Sequence, residues 1–352
     1  MKTPLCDLHE QLGARMVEFA GWDMPVHYGS QLEEHHAVRR HAGCFDVSHM
    51  AVVAIPTQPG EELLRQLLVG DVKNLEIGRG LYTLMLNDRG GIVDDLIVYR
   101  GSTEFRLVVN AGTTQKDLAW IEQHALALGC GGIANHHSDL CIIAVQGPTA
   151  IGLVGDALAV PSLGDIAPFS FVEHREHFIA RTGYTGEDGV EIICRPLEAR
   201  DLWQQLTAAG VVAAGLGARD SLRLEAGLNL YGHDMTEETN PFECRVAWTI
   251  DWEDASRPFI GRDAVEKLLH AGSPTKLVGV RLTERGIPRE GCEVHSAAGT
   301  GVVTSGTFSP TLQYGIALAR VPRQMRGPCQ IQVRKRLIDG RTVRLPFVKR
   351  EQ

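Results

Sequence analysis

NDRGGIVDDLIVYRGSTEFRLVVN, residues 87 to 110, decides what kind of fold this chain can have. Two β-prone runs, DDLIVYR and FRLVVN, flank the short polar turn GSTE, so residues 94 to 110 predict an antiparallel hairpin. Working outward, LCIIAVQGP (140 to 148) reads as a continuous apolar strand. HFIARTGYTGEDGVEIIC (177 to 194) reads as two strand-like ends around a glycine-bearing turn. Helices are expected over EEHHAVRRHAGC (33 to 44), ending near Gly43, and over GEELLRQLLVGD (60 to 71), with Leu63, Leu64, Leu67 and Leu68 as its apolar stripe. A third should run from Thr114 to Leu128, capped by Thr113 or Thr114, ended by Gly129, with Ala119, Ile121, Leu126 and Leu128 packing beneath it. A fourth covers 197 to 209 through Leu197, Leu202, Trp203 and Leu206. From about Ile250 the texture changes, and KLVGVRL, GVVTSG, YGIALARV, CQIQVRKRLI and TVRLPFVKR are short strands between Gly/Pro-rich connections. The pattern is α+β with a β-rich C-terminal domain, not orderly βαβ repetition.

The chain's 352 residues correspond to two or three domains. Its net charge of -8, from 35 Lys and Arg against 43 Asp and Glu, argues against wide non-specific contact with nucleic acid or anionic lipid. Eight dispersed cysteines form no CxxC pair, and 14 histidines show no HExxH or Cys/His spacing, so no metal site is expected. GLG at 215 to 217 lacks the rest of a dinucleotide fingerprint, and no GxxxxGK loop occurs. No stretch is apolar over 18 residues and the N-terminus lacks a secretory core, so the cytoplasm is the expected compartment.

Asp94 and Asp95 stand at the mouth of an apolar strand, and period-two geometry sends them to opposite faces. One can enter a pocket while the other meets water or caps amides, which points to one active acid, not a carboxylate pair. Turn satisfaction by Asp88, with both strand acids hydrated, explains the same residues without catalysis. In RTGYTGEDGVE (181 to 191), Val190 and Ile192 share one face and Glu191 and Ile193 the other. Glu191 then either accepts the amide and amino donors of a heterocycle or pairs with Arg195, while Glu187 and Asp188 can simply furnish the turn. Arg219, on a helix opened by GLGARD, suits a ligand carboxylate or carbonyl, or an ion pair with Glu191 or Asp220. Ser48 and His49 in FDVSHM are adjacent, but no GxSxG accompanies them, so a serine hydrolase is disfavoured. Met50 suits an apolar wall or the core, and Tyr82, Tyr99 and Tyr184, with Trp22, Trp248 and Trp252, are either stacking surfaces or core residues.

Taken in order, GARMVEFAGWDMPVHY, FDVSHM, NDRGGIVDDLIVY, LVVNAG, VQGP, RTGYTGEDGVE, GLGARDSLRLEAG, NLYG, TSGTFSPT and GIALA resemble the aminomethyltransferases of the glycine cleavage system, the T-proteins, over nearly the whole chain. The resemblance implies three domains around a central folate cavity: residues 1 to 52 with 136 to 243, an insertion over 53 to 135 carrying Asp95, and a β-rich domain over 244 to 352. It implies tetrahydrofolate as cosubstrate and, as partner, the glycine-cleavage H-protein, whose lipoyl arm delivers an aminomethyl group. Products would be 5,10-methylenetetrahydrofolate, ammonia and dihydrolipoyl H-protein, with the other glycine cleavage components as functional partners. By motif position Asp95 is the central carboxylate, Glu191 the pterin-recognising glutamate and Arg219 a folate contact. Asn110, Tyr82, Tyr99, Tyr184 and Met50 then line the pocket. His233 and Arg245 depart from the family pattern without removing any of these. A folate-binding adaptor of iron-sulfur protein maintenance is the alternative, but its KGCYxGQE-type stretch is absent.

Overall fold

A computed structural model describes residues 1–137 and 139–349. It divides into two compact units, Met1–Thr83 with Leu96–Asp220, and Leu84–Asp95 with Ser221–Gln352. The tip of the hairpin made by strands Gly80–Leu86 and Ile92–Arg100 is therefore counted with the second unit.

The first unit holds a six-stranded sheet in the order Phe171–His174, His177–Ala180, Gly189–Cys194, Cys141–Gln146, Gly43–Asp46, Val212–Ala213. Only the last pairing is parallel. Ile143, Val145, Val190 and Ile192 project into one core with Val154 of helix Ala150–Leu158 and Leu202, Trp203 and Leu206 of helix Pro196–Ala208. The alternation expected of GVEIIC thus holds, and Glu191 leaves the sheet on the face away from that core.

A five-stranded sheet runs in the order Gly80–Leu86, Ile92–Arg100, Glu104–Val109, Ala51–Pro56, Ala134–Asn135. The expected hairpin is present, with Arg100 opposite Phe105 and Ile97 opposite Val108. Helix Thr57–Leu67 buries Leu63, Leu64 and Leu67 as its leucine spacing requires, and Leu68, just past it, is buried too. Helix Thr114–Leu128 ends at Gly129 with φ +64°, the left-handed conformation glycine tolerates. Two expectations for this helix fail. The Thr113 and Thr114 hydroxyls donate to the Asn110 carbonyl, and neither accepts from a first-turn amide as a cap would. Its buried stripe is Thr114, Asp117, Leu118, Ile121 and Ala125, while Leu126 is 85% exposed, because 3.6-residue geometry aligns those positions and turns 126 outward. The helix expected over 33 to 44 runs Gln31–Arg40, capped by the Ser30 hydroxyl, and Gly43 opens a strand.

The second unit contains a closed six-stranded barrel in the order Thr275–Leu282, Tyr314–Pro322, Gly299–Ser309, Glu293–Ser296, Pro328–Val333, Arg336–Val343, returning to Thr275–Leu282. Closure leaves no free edge, and Val280, Leu282, Val294, Val303, Ala317 and Ile331 fill the interior. CQIQVRKRLI is two strands, not one: Arg334, at φ +57°, turns the chain so that Val333 pairs with Arg336. In TVRLPFVKR only Thr342 and Val343 are strand, Leu345 and Phe347 pack with Leu277 and Leu224, and Arg350 lies outside the described residues. The strand Glu293–Ser296 was not foreseen, since EVHS is short and half polar. The eight cysteines are free thiols, seven of them buried. Among the described residues no helix is long and apolar enough to cross a membrane.

Candidate functional site

The RTGYTGEDG loop is built around one glutamine. Gln146, ending the CIIAVQ strand and fully buried, donates from Nε2 to the carbonyls of Thr182 (3.1 Å) and Val145 (3.2 Å), and its Oε1 accepts from the Thr185 hydroxyl (3.0 Å). A Cβ on Gly183 would lie 1.9 Å from that Oε1, so only glycine lets the loop cross there. Asp188 takes two bonds from Arg181, at 3.1 and 2.6 Å, and Glu187 accepts from Arg39 at 2.8 Å. Both acids of the turn are structural. Arg195 pairs with Glu198 and Glu176, which leaves the pairing weighed for Glu191 with Arg195 to other partners.

Glu191 instead heads a short polar chain. Thr182 donates its hydroxyl to Glu191 Oε2 at 2.6 Å; with that proton committed, the 3.0 Å contact to Tyr99 has the phenol donating to Thr182. Tyr99 is 1% exposed, edge-on to Phe171 and Phe178, and burial with the Glu191 charge pushes its phenol well above the usual range. It therefore acts as a neutral donor. Arg219, near the start of helix Leu216–Glu225, places its guanidinium carbon 4.7 Å over the Tyr184 ring. Burial lowers its pKa, against which the Glu191 and Tyr184 charges pull upward, and its buried Nη1 has no hydrogen-bond partner among the described residues. That helix starts with glycines for a steric reason: a Cβ on Gly215 would sit 2.4 Å from the Val26 backbone.

His49 is buried, and its pKa is pushed down to about 4 by burial and then by Arg219. Its Nδ1 has no hydrogen-bond partner among the described residues, while its backbone carbonyl meets His137 Nε2 at 2.8 Å. No Ser48–His49 relay exists, because the Ser48 hydroxyl accepts from the Ile142 amide at 3.0 Å and the histidine bonded to Asp46 is His9. Met50 follows His49 in the chain and is half-buried. Trp22 is buried, its ring 4.9 Å from His137. Tyr82 and Asn110 are half-buried on their strand and strand end.

In the second unit, Asp94 is fully buried and Asp95 is half-buried, as alternation along a strand requires. Trp248 in the same unit is 69% exposed. The structure thus links Tyr99, Thr182, Glu191, Arg219, Tyr184 and His49 in the first unit and carries Asp95 in the second. Thr182 and Gln146 were not singled out from the sequence. A glutamine closing an apolar strand and a threonine beside the glycine turn were the available signals. An open cleft of about 460 Å³ lined by Arg15, Val17, Val26, His27 and Gln31 contains none of these residues.

Residues 5–254 match the GCVT N-terminal domain family, and residues 275–349 match the glycine cleavage T-protein C-terminal barrel domain. An aminomethyltransferase of Stenotrophomonas maltophilia is 50% identical over 361 residues, covering 100% of this chain and 97% of that protein. One of Chromobacterium violaceum is 49% identical, covering 99% and 97%. The crystal structure of glycine cleavage system aminomethyltransferase T from Bartonella henselae superposes with a TM-score of 0.94 at 36% identity, covering 99% of this chain and 98% of that one.

Proposed function

We propose a residue-level function from the premise that the chain belongs to the glycine cleavage T-protein family and is an aminomethyltransferase of that system. Its substrates are tetrahydrofolate and the aminomethyl-lipoyl arm of H-protein, and the reaction yields 5,10-methylenetetrahydrofolate, ammonia and dihydrolipoyl H-protein. The observation that carries the site is the buried, partnerless Nη1 of Arg219 beside Glu191. A buried charged donor without an acceptor is costly, and a ligand carrying a carbonyl or carboxylate removes that cost. A folate offers such acceptors together with the N–H donors that Glu191 can receive, so the residues fit the group.

Glu191 is assigned to the paired N–H donors of the pterin edge, with Thr182 and Tyr99 fixing its rotamer. Arg219 is assigned to a folate acceptor, its plane held by Tyr184. Met50, Tyr82, Tyr99, Asn110 and Tyr184 are assigned to the lining that excludes water. His49, neutral at pH 7, adds no competing cation next to Arg219. The folate supplies the nucleophilic nitrogen that takes up the one-carbon unit.

Asp95 is assigned the carboxylate role. As ammonia leaves and the carbon is transferred, positive charge develops, which an anion stabilises and whose proton it can accept. Its partial exposure beside the fully buried Asp94 supports Asp95 as the reactive member of the pair. Residues 1 to 52 with 136 to 243, 53 to 135, and 244 to 352 are carried forward as the family's domain division, H-protein as the docking partner and the cytoplasm as the compartment. The deciding experiment measures ammonia release from aminomethyl-lipoyl H-protein with and without tetrahydrofolate. Folate-dependent release coupled to methylenetetrahydrofolate is expected, and binding of folate without release defeats the reading.

A further inference from the structure

The strand that carries Asp95 is held by a loop of its own unit at both polar groups of one residue. The Ile92 amide donates to the carbonyls of Thr236 (3.2 Å) and Thr239 (3.0 Å), and the Ile92 carbonyl accepts from the Tyr231 hydroxyl at 2.9 Å. Just before it, Asn87 Oδ1 accepts from the amides of Arg89 and Gly91, while its Nδ2 donates to the Glu237 carbonyl at 3.1 Å. The approach at this turn is so close that a Cβ on Gly91 would lie 1.8 Å from that same carbonyl. NDRGGI is therefore shaped to receive the segment 231 to 239.

That segment is itself anchored to the barrel. Asp234, fully buried, pairs with Arg223 Nη1 at 3.0 Å and accepts from the Leu230 amide (2.9 Å), the Ser305 hydroxyl (2.8 Å) and the Thr304 hydroxyl. Its carbonyl accepts from Arg320 Nη2 at 2.8 Å. The ladder of strand Gly299–Ser309 slips between Val303 and Ser305, where these hydroxyls leave it. Bulges of this kind redirect side chains, and here they run into a buried ion pair with every carboxylate oxygen engaged.

We propose that Tyr231 is a positioning residue for the transfer reaction: by holding the Ile92 carbonyl, it fixes where the Asp95 carboxylate sits. The inference rests on the assignment of Asp95 above. Ile92 and Asp95 are separated by about 10 Å of extended chain, so a freed peptide at Ile92 is passed along the strand as a displaced carboxylate. Chemistry is sensitive to such displacement, since a misplacement of about 1 Å costs on the order of 100-fold in rate.

The test is a double-mutant cycle on the full chain with aminomethyl-lipoyl H-protein, read by single-turnover carbon transfer, tetrahydrofolate binding and hydrogen exchange. Tyr231→Phe should slow transfer roughly tenfold, leave folate affinity within about twofold, and speed exchange of the amides of residues 92 to 95. In an Asp95→Asn background the same change should cost no further rate. Thr239→Val, which removes the hydroxyl bonding Thr236 without touching Tyr231, should repeat the pattern, and Thr239→Ser should restore it. An unchanged rate in Tyr231→Phe, or an equal fall in both backgrounds, overturns the proposal. Native turnover in Asp95→Asn alone removes the assignment of Asp95 first, and this inference with it.

Discussion

Replacing Glu191 by glutamine tests the pterin-edge assignment with little change of shape. The carboxylate has Thr182 on Oε2 at 2.6 Å and the Arg219 charge near it, so it is held in place before any ligand arrives. Glutamine keeps one acceptor and turns the other oxygen into a donor. That donor meets N–H groups where an acceptor was, and Arg219 loses the neighbouring negative charge. A hydrogen bond to a charged group contributes about 1.5 to 3 kcal/mol, which corresponds to roughly 10- to 100-fold in dissociation constant at about 1.4 kcal/mol per decade. Thr182 can still donate to the amide oxygen, so the fold keeps its internal bond and the loss falls on the ligand. Anaerobic calorimetric titration with tetrahydrofolate measures it directly. Turnover at saturating folate should change far less than affinity, because the lost interaction is present in ground and transition states alike. A folded Glu191→Gln protein that binds folate within twofold of the native chain would refute the assignment.

Asp95→Asn should do the reverse, lowering single-turnover transfer by roughly 100- to 10,000-fold at nearly unchanged folate affinity; an unaltered chemical step sinks the carboxylate role. Thr182→Val leaves the Tyr99 phenol buried without an acceptor and should lower unfolding stability by about 1 to 3 kcal/mol in urea titration, with stability retained counting against the relay. His49 predicts a pH dependence. With its pKa pushed from 6.5 to about 4, the native state refuses a proton that the unfolded chain accepts, so the stabilising contribution is complete above pH 6.5 and falls away as pH drops toward 4. The total change amounts to about 3 kcal/mol at most, and urea midpoints for His49→Gln between pH 7 and 4 should lack it.

Much of the fold was legible because the decisive segments are locally self-consistent. The 94 to 110 hairpin, the leucine stripe of helix Thr57–Leu67 and the alternation in GVEIIC follow from period and turn chemistry alone. What failed needed tertiary information. Arg334 splits what reads as one strand by adopting a left-handed conformation that arginine seldom takes, and no neighbouring glycine marks the turn. The exposure of Leu126 depends on which stripe of a long helix meets the sheet. For the proposed site, the motifs single out Asp95, Glu191 and Arg219 as candidates, and strand alternation separates Asp95 from Asp94. The contacts of Thr182, Gln146 and Tyr231 were hidden because each is a hydrogen bond to a residue 9 or more positions away.

Polar accounting separates scaffold from site within the first unit. Asp46 is buried and receives three donors: the Thr3 hydroxyl at 2.7 Å, the Ser48 amide at 2.9 Å and His9 Nε2 at 3.0 Å. His9 Nδ1 then accepts from the Tyr28 phenol at 2.8 Å. Burial alone would raise the Asp46 pKa, yet the bonds from His9, Ser48 and Thr3 outweigh it and hold the acid below its ordinary value. That cluster resembles a catalytic relay in composition, but every member is satisfied and nothing is left for a ligand. Around Arg219 the balance runs the other way, with burial lowering its pKa despite Glu191 and one guanidinium nitrogen unanswered. Within the first unit, buried indoles such as Trp22 and Trp203 also lack acceptors, but each leaves a single neutral donor, whereas Arg219 leaves a charged one; in the second unit Arg281 and Arg320 each leave a buried Nε without a hydrogen bond among the described residues as well. An anionic or carbonyl acceptor arriving there would gain the energy that the folded chain by itself has left unrealised, and this is why the binding position is proposed at the arginine and not at the more elaborate Asp46 cluster.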